Sequence, residues 1–353
     1  MIDNECFHRV ALARAGQSQC LHQSKLKANS RYVRPTPRNI AKKGLRRIDN
    51  SAEHRQPSRH ELGVGPVKQI SIDDLSAELR GRLRLVSHIA LDMDGTIYNG
   101  DTLLPCTIPF LEQLRRLGIG YSFVTNNPSK SVDDYMMKLH SMGLQACPDQ
   151  LYTSAMATID LLRRDYPSVN RIFVLGTPSM CQEFLAAKFE LTEDDPDDVP
   201  EAVIVGFDMT LKYDRLCRAA WWIQRGQLYI ATNPDLVCPT DQRTVLVDCG
   251  SMCAMLKMAT GRSPDKVLGK PDPEMIRGIL NRFAMQPHQI AMVGDRLYTD
   301  ILMARRAGAL GVLVLTGESS RQDAQAANPP PELVVPSLAE LGDLLALSRS
   351  EVV

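Results

Sequence analysis

The run Ile89-Ala90-Leu91-Asp92-Met93-Asp94-Gly95-Thr96 narrows what this chain can become. An apolar strand ends there in two carboxylates one residue apart, and a glycine follows. Alternate strand residues face opposite sides, so Asp92 and Asp94 share a side only while the strand continues. Gly95 ends it. Asp92 then sits at the carboxyl end of a buried parallel strand and Asp94 on the loop beyond, where α/β proteins carry their sites. Two carboxylates that close repel each other unless a cation lies between them, and oxygen-only ligands suit Mg²⁺. A lone Asp-Gly after a strand is more often only a turn, so the pair counts as a site only with partners at the same sheet edge.

Those partners recur along the chain. Ile108, Leu111, Leu114 and Leu117 repeat at helical spacing, Gly118 and Gly120 stop that helix, and Tyr121–Val124 forms the next strand. This βαβ unit predicts a parallel sheet. Its second strand ends in Thr125-Asn126-Asn127, a hydroxyl and backbone N–H groups ahead of a helix; alone a capped turn, beside Asp92 it is placed to hold a phosphate oxygen. Helices are expected near 130–142 and 154–164. Strands at Arg171–Leu175, Ala202–Val205 and Leu228–Ala231, with a helix over 211–225, predict a second α/β layer, inserted because the first domain's missing elements come after it. Its most loop-like motif is Ala231–Asp235. Cys249 and Cys253, four apart, are expected on one helix face; a metal there needs two further ligands that the sequence does not offer. The run Val267-Leu268-Gly269-Lys270-Pro271 brings a lysine to another strand end, suited to offsetting phosphate charge. Ile290–Val293 is again a buried strand, ending in Gly294-Asp295, with Asp300 five residues on. A helix to Ala307, a strand Gly311–Leu315 and a helix near 337–346 complete the sheet. Four strand ends thus carry Asp/Asp, Thr, Lys and Asp/Asp, which is what phosphoryl transfer to a carboxylate needs.

Composition agrees with a globular enzyme. The 353 residues, 44% hydrophobic, suffice for two globular units. No run of about 18 apolar residues predicts a membrane helix. The net charge of zero conceals an asymmetry: residues 1–60 hold 13 Lys/Arg against 4 Asp/Glu, leaving 28 against 37 elsewhere. Residues 1–70 lack periodicity and read as a disordered basic extension, more a solvated tail than a nucleic-acid or membrane contact. No apolar segment near the start predicts a signal peptide, and Asp3 and Glu5 argue against a transit peptide. Nine cysteines without a CxxC pair fit a reducing cytoplasm.

The order and spacing of these motifs resemble the haloacid dehalogenase superfamily. The runs Tyr152–Ala157, Ile230–Asp235, Cys249–Ala254 and Gly269–Pro271 resemble more narrowly its subfamily IIA, the NagD-like and para-nitrophenylphosphatase group. The resemblance covers about 84–346. It implies a Rossmann-like parallel-sheet core over 84–161 and 263–347, with an α/β cap of the C2 type inserted at 162–262. It further implies that Asp92 is the nucleophile and Asp94 the acid and base. Thr125 and Asn126 would bind the phosphoryl group, and Lys270 would hold it against Asp92. Mg²⁺ would lie on Asp92, Asp295 and Asp94, the last through its carbonyl, with Asp300 orienting the metal's shell. Asn233 and Asp235 would read the substrate from the cap, although Leu236–Arg243 departs from the NagD pattern in length and composition. The implied activity is hydrolysis of a small phosphate monoester, such as a nucleoside monophosphate, a sugar phosphate, phosphoglycolate or para-nitrophenyl phosphate. Homo-oligomers, if formed, would use the cap. The rival expectation, a non-catalytic protein of this fold whose basic tail contacts nucleic acid, would be favoured by loss of Asp92, Asp94, Lys270 or Asp295, and all four are present.

Overall fold

A computed structural model describes residues 71–238 and 244–350, which excludes the predicted basic extension. Eleven strands build two sheets: β1 His88–Asp92, β2 Gly120–Thr125, β3 Leu151–Thr153, β4 Arg171–Leu175, β5 Glu190–Leu191, β6 Ala202–Val205, β7 Leu228–Ala231, β8 Lys266–Val267, β9 Ile290–Gly294, β10 Leu310–Val314 and β11 Leu333–Val335. The first sheet is parallel throughout, in the order β11-β10-β9-β1-β2-β3. Helices cover both faces, so its central strands are continuously apolar rather than alternating. All five residues of β1, β9 and β10 are buried. The chain leaves β1 towards β2 on one side and later returns to β9 on the other. The carboxyl end of β1 is therefore a topological switch point, where a crevice opens for a ligand.

The second sheet, in the order β8-β7-β6-β4-β5, is also parallel and lies between β3 and β9 in sequence. It is the predicted insertion. The expected boundary at 262 needs correction: β8 pairs Lys266 with Ile230 and Val267 with Ala231, so the second sheet keeps the chain to Val267. Lys270 consequently follows an edge strand of the inserted sheet, not a strand of the core. Two core strands escaped the sequence pattern, β3 and β11, each three residues long and too short for a periodicity. The helix expected after Asp295 begins instead as a wide π turn over Leu297–Ile301 before Leu302–Ala307.

Alternation along the inserted strands divides their side chains between two clusters. Ile172, Val174, Ile204 and Ile230 join a cluster that includes Val124, Tyr152, Ile276 and Met292 of the core, whereas Phe173, Leu175, Val203 and Tyr229 pack with the helices Tyr213–Gln224 and Cys249–Thr260. Cys249 and Cys253 share a helix face as expected, with their sulfurs 3.9 Å apart.

Candidate active site

Asp92 is the last residue of β1 and is buried. One of its oxygens, Oδ1, is ion-paired with Lys270 Nζ, and Oδ2 accepts from Thr96 Oγ1 at 3.2 Å. Gly95 makes this possible. At φ +86° it turns the chain back, so that the Gly95 N–H donates to the Tyr98 carbonyl at 2.8 Å and returns Thr96 beneath Asp92. Asp94 lies outside the turn, exposed, and accepts from the Gly100 N–H at 3.3 Å.

Lys270 also contacts Asp300 Oδ1 at 2.8 Å. Burial opposes its charge, but Asp300 and Asp92 outweigh it and raise the ammonium's pKa, so Lys270 stays protonated. Asp300 is completely buried and its Oδ2 accepts from the Arg296 N–H at 3.1 Å. Burial pushes its carboxyl up to about 7, against the pull of Lys270. Burial, then repulsion from Asp92, likewise pushes Asp295 up to about 6.

Asp295 directly follows Gly294, the last residue of β9, and is held from beyond the neighbouring strand. Its Oδ2 accepts from the Glu318 N–H at 2.7 Å, while Oδ1 is buried without a hydrogen-bond partner. A Cβ on Gly95 or Gly317 would overlap this carboxylate, so both glycines are needed for its close approach. Asp92, Asp295 and Asp300 bring carboxylate oxygens within 4.8 Å of one another. An all-oxygen cluster with an orphaned buried oxygen fits a small hard cation. The Asp94 carboxylate is not in this cluster, so the cation expected between the Asp92 and Asp94 carboxylates finds its further carboxylates in Asp295 and Asp300 instead.

Thr125 ends β2, beside β1, and its Oγ1 accepts from the Asn127 N–H at 3.2 Å. These residues line a cavity of about 320 Å³ together with Asp92, Asp94, Asn126, Asp235 and Lys270. Two expected substrate readers are otherwise engaged. The Asn126 side chain bonds the Lys270 backbone and Asp235, so its amide has no group free for a phosphoryl oxygen. Asn233 is fully buried: its Oδ1 accepts from Thr232 at 2.9 Å, and its Nδ2 donates to Asp248 at 3.0 Å and Asp235 at 3.3 Å. It is not one of the residues that line the cavity. Asp235 does line it, half-buried.

Sequence reasoning passed over several cavity residues, among them Lys130, Lys138, Tyr135, Met209 and Arg296. Lys138 lies 4.3 Å above the Tyr98 ring. It also passed over Gly317-Glu318, although this pair just beyond β10 obeys the rule that exposed the other motifs, polar residues at a strand end.

The fold and the cluster define a hydrolase of the haloacid dehalogenase kind, and comparison with known proteins agrees. Residues 89–190 match the haloacid dehalogenase-like hydrolase family and residues 267–341 the HAD-hydrolase-like family. The chain is 34% identical over 256 residues to the ribonucleotide monophosphatase NagD of Escherichia coli K12, covering 72% of this chain and 98% of that protein. It is 31% identical to the acid sugar phosphatase of Staphylococcus aureus, covering 68% and 91%. Among solved structures, the 4-nitrophenylphosphatase of Thermotoga maritima superposes with a TM-score of 0.69 at 39% identity, covering 74% and 98%. The glycerol phosphate phosphatase of Mycobacterium tuberculosis, solved in complex with magnesium, gives 0.68 at 33%, covering 74% and 78%. The chain belongs to the haloacid dehalogenase-like hydrolases, in their NagD-like group, and is a phosphoric monoester hydrolase.

Proposed function

We propose that this chain hydrolyses small phosphate monoesters by way of a phosphate ester of its own Asp92. The observation that carries the reading is the pairing of Asp92 with Lys270 at the floor of a cavity whose wall also holds the exposed Asp94. Lys270 and Thr96 fix the Asp92 carboxylate, and the Lys270 charge offsets that of the incoming phosphoryl group. An Asp92 oxygen attacks phosphorus, the P–O bond to the leaving group breaks, and Asp94 delivers a proton to the departing oxygen. Asp94, then ionised, takes a proton from water, which attacks the aspartyl phosphate and releases inorganic phosphate and free Asp92. Thr125 is placed for a hydrogen bond to the phosphoryl oxygens. Mg²⁺, held by Asp92, Asp295 and the Asp94 carbonyl with Asp300 beside them, would supply the remaining charge compensation. A site so crowded with carboxylates suits that ion, and the M. tuberculosis relative was solved with magnesium and also with calcium.

The substrate is a small phosphorylated metabolite. Nucleoside monophosphates, sugar phosphates, phosphoglycolate and para-nitrophenyl phosphate form the panel for a phosphate-release screen. Acid quenching during turnover of a ³²P-labelled ester should leave label on Asp92 in a peptide map. Asp92→Asn should take up no label and lose roughly 10³-fold or more in kcat while melting like the parent. Near-normal turnover by a folded Asp92→Asn protein would exclude this mechanism.

A further inference from the structure

The Asn126 amide joins the inserted sheet to the lysine of the site. Its Nδ2 donates to the Lys270 carbonyl and to Asp235 Oδ2, each at 2.9 Å, and its Oδ1 accepts from the Lys270 N–H at 2.6 Å. Such an amide has one orientation. Turned over, it would set N–H against N–H and its oxygen against two other oxygens. The Asp235 Oδ2 accepts from Nδ2, so it holds Nδ2 outward and keeps Oδ1 towards the Lys270 N–H. Its Oδ2 also accepts from Asn233 at 3.3 Å. Gly269, at φ +76°, is enclosed by the same groups: a Cβ there would lie 2.9 Å from Asn233 Cβ and the Thr232 carbonyl and 3.0 Å from Asn126 Oδ1. The Lys270 main chain is thus gripped at its N–H and its carbonyl. That grip aims Nζ at Asp92 and Asp300.

We propose that Asn126 and Asp235 are positioning residues for Lys270, so that the Thr232–Asp235 turn of the cap governs the rate of phosphoryl transfer and not the choice of ester. The inference rests on the reading of Asp92 as nucleophile with Lys270 as its partner. Lys270 meets the nucleophile whatever alcohol is leaving, so a misplaced lysine slows every ester by the same factor. A displacement of about 1 Å at a reacting centre lowers rates on the order of a hundredfold.

The test compares Asp235→Ala, Asp235→Asn, Asn126→Ala and the double Asn126→Ala/Asp235→Ala protein, each with Mg²⁺ at saturation. Each is assayed on para-nitrophenyl phosphate, a nucleoside monophosphate and a sugar phosphate. Asp235→Ala should lower kcat roughly ten- to a hundredfold on all three with KM within about twofold. Asp235→Asn, whose amide oxygen still accepts from Asn126, should recover most of that loss. The double variant should be no slower than Asn126→Ala, because the Asn126 link is already gone. A loss confined to one ester, with para-nitrophenyl phosphate untouched, makes Asp235 a substrate reader and overturns the proposal. So does an unchanged kcat in Asp235→Ala, or losses that multiply in the double variant. If Asn126→Ala does not fold, the contrast between the two Asp235 variants decides alone. A parent protein inactive on every ester would defeat the reading of the whole site, whereas an active parent with the wrong pattern among variants defeats only the clamp.

Discussion

Asp295 and Asp300 carry charge in a place that resists it. Their carboxyls are pushed up from the ordinary 3.8 to about 6 and about 7, chiefly by burial. The folded chain therefore binds protons more tightly than the unfolded chain between about pH 4 and 7. Without metal, these two groups make stability fall as pH rises through that window. A divalent cation takes the place of the protons, so adding Mg²⁺ should raise the melting temperature more at pH 8 than at pH 5. Equal increases at the two pH values in a calorimetric scan would mean that the ion binds elsewhere. Asn233 behaves differently, because it faces no cavity. Its removal leaves the buried Asp248, already pushed up to about 6 by burial, without the hydrogen bond that partly offsets this. Asn233→Ala should destabilise the fold by about 1 to 3 kcal/mol. The denaturation midpoint measures this, and a shift in substrate preference at unchanged stability would restore Asn233 as a reader.

At the scale of elements, the site is a set of loops after β1, β2 and β9, steadied by two that belong elsewhere. One follows β10. Gly317 packs its backbone against Asp295, and Arg296 and Tyr298 reach Glu318 at 3.0 and 2.8 Å, which ties the two loops together. Gly317→Ala should displace the Asp295 carboxylate and weaken Mg²⁺ at least tenfold in a calorimetric titration, on the order of a lost hydrogen bond to a charged group. Unaltered Mg²⁺ affinity would show the loop to be a bystander. The other follows β8, and it marks where the sequence was hard to read. Apolar runs of four or five residues declared β1, β2, β4, β6, β7, β9 and β10, and the polar residues after the core strands declared Asp92, Thr125 and Asp295. Lys270 was legible as a strand-end lysine, but a two-residue strand has no period, so nothing in the sequence assigned β8 to the inserted sheet. Nor could it tell whether an asparagine amide faces a ligand or another loop. Asn126 and Asn233 have the residue type of substrate readers, but their amides bond to partners brought from 109 and 15 residues away, Asp235 and Asp248.

For the whole molecule, the question is whether core and cap are separable bodies. Polar contacts join them beside the Asn126 clamp: Thr177 Oγ1 donates to the Ser129 carbonyl at 2.7 Å, and Glu183 accepts from the Val132 N–H at 2.9 Å, so a cap side chain satisfies the first turn of a core helix. The apolar contact is larger. One continuous cluster runs from Ala90, Val124 and Met292 of the core sheet, through Tyr152 and Ile276, to Ile172, Ile204 and Phe184 of the insertion, all of them buried. If the cap opened as a rigid lid, this cluster would have to part and expose apolar area on both sides, at about 25 cal/mol per Å². The cluster draws buried side chains from both sheets and from the helices between them. The described residues should therefore unfold in one transition, with calorimetric and van't Hoff enthalpies equal. Ile204→Ala, placed in a cap strand, should remove about 2 to 5 kcal/mol. At just under about 2 °C per kcal/mol for a body of this size, it should lower that single melting temperature by roughly 3 to 9 °C. A cap that folds independently would respond with a second, earlier transition, while the core kept its own melting temperature and its protection against proteolysis.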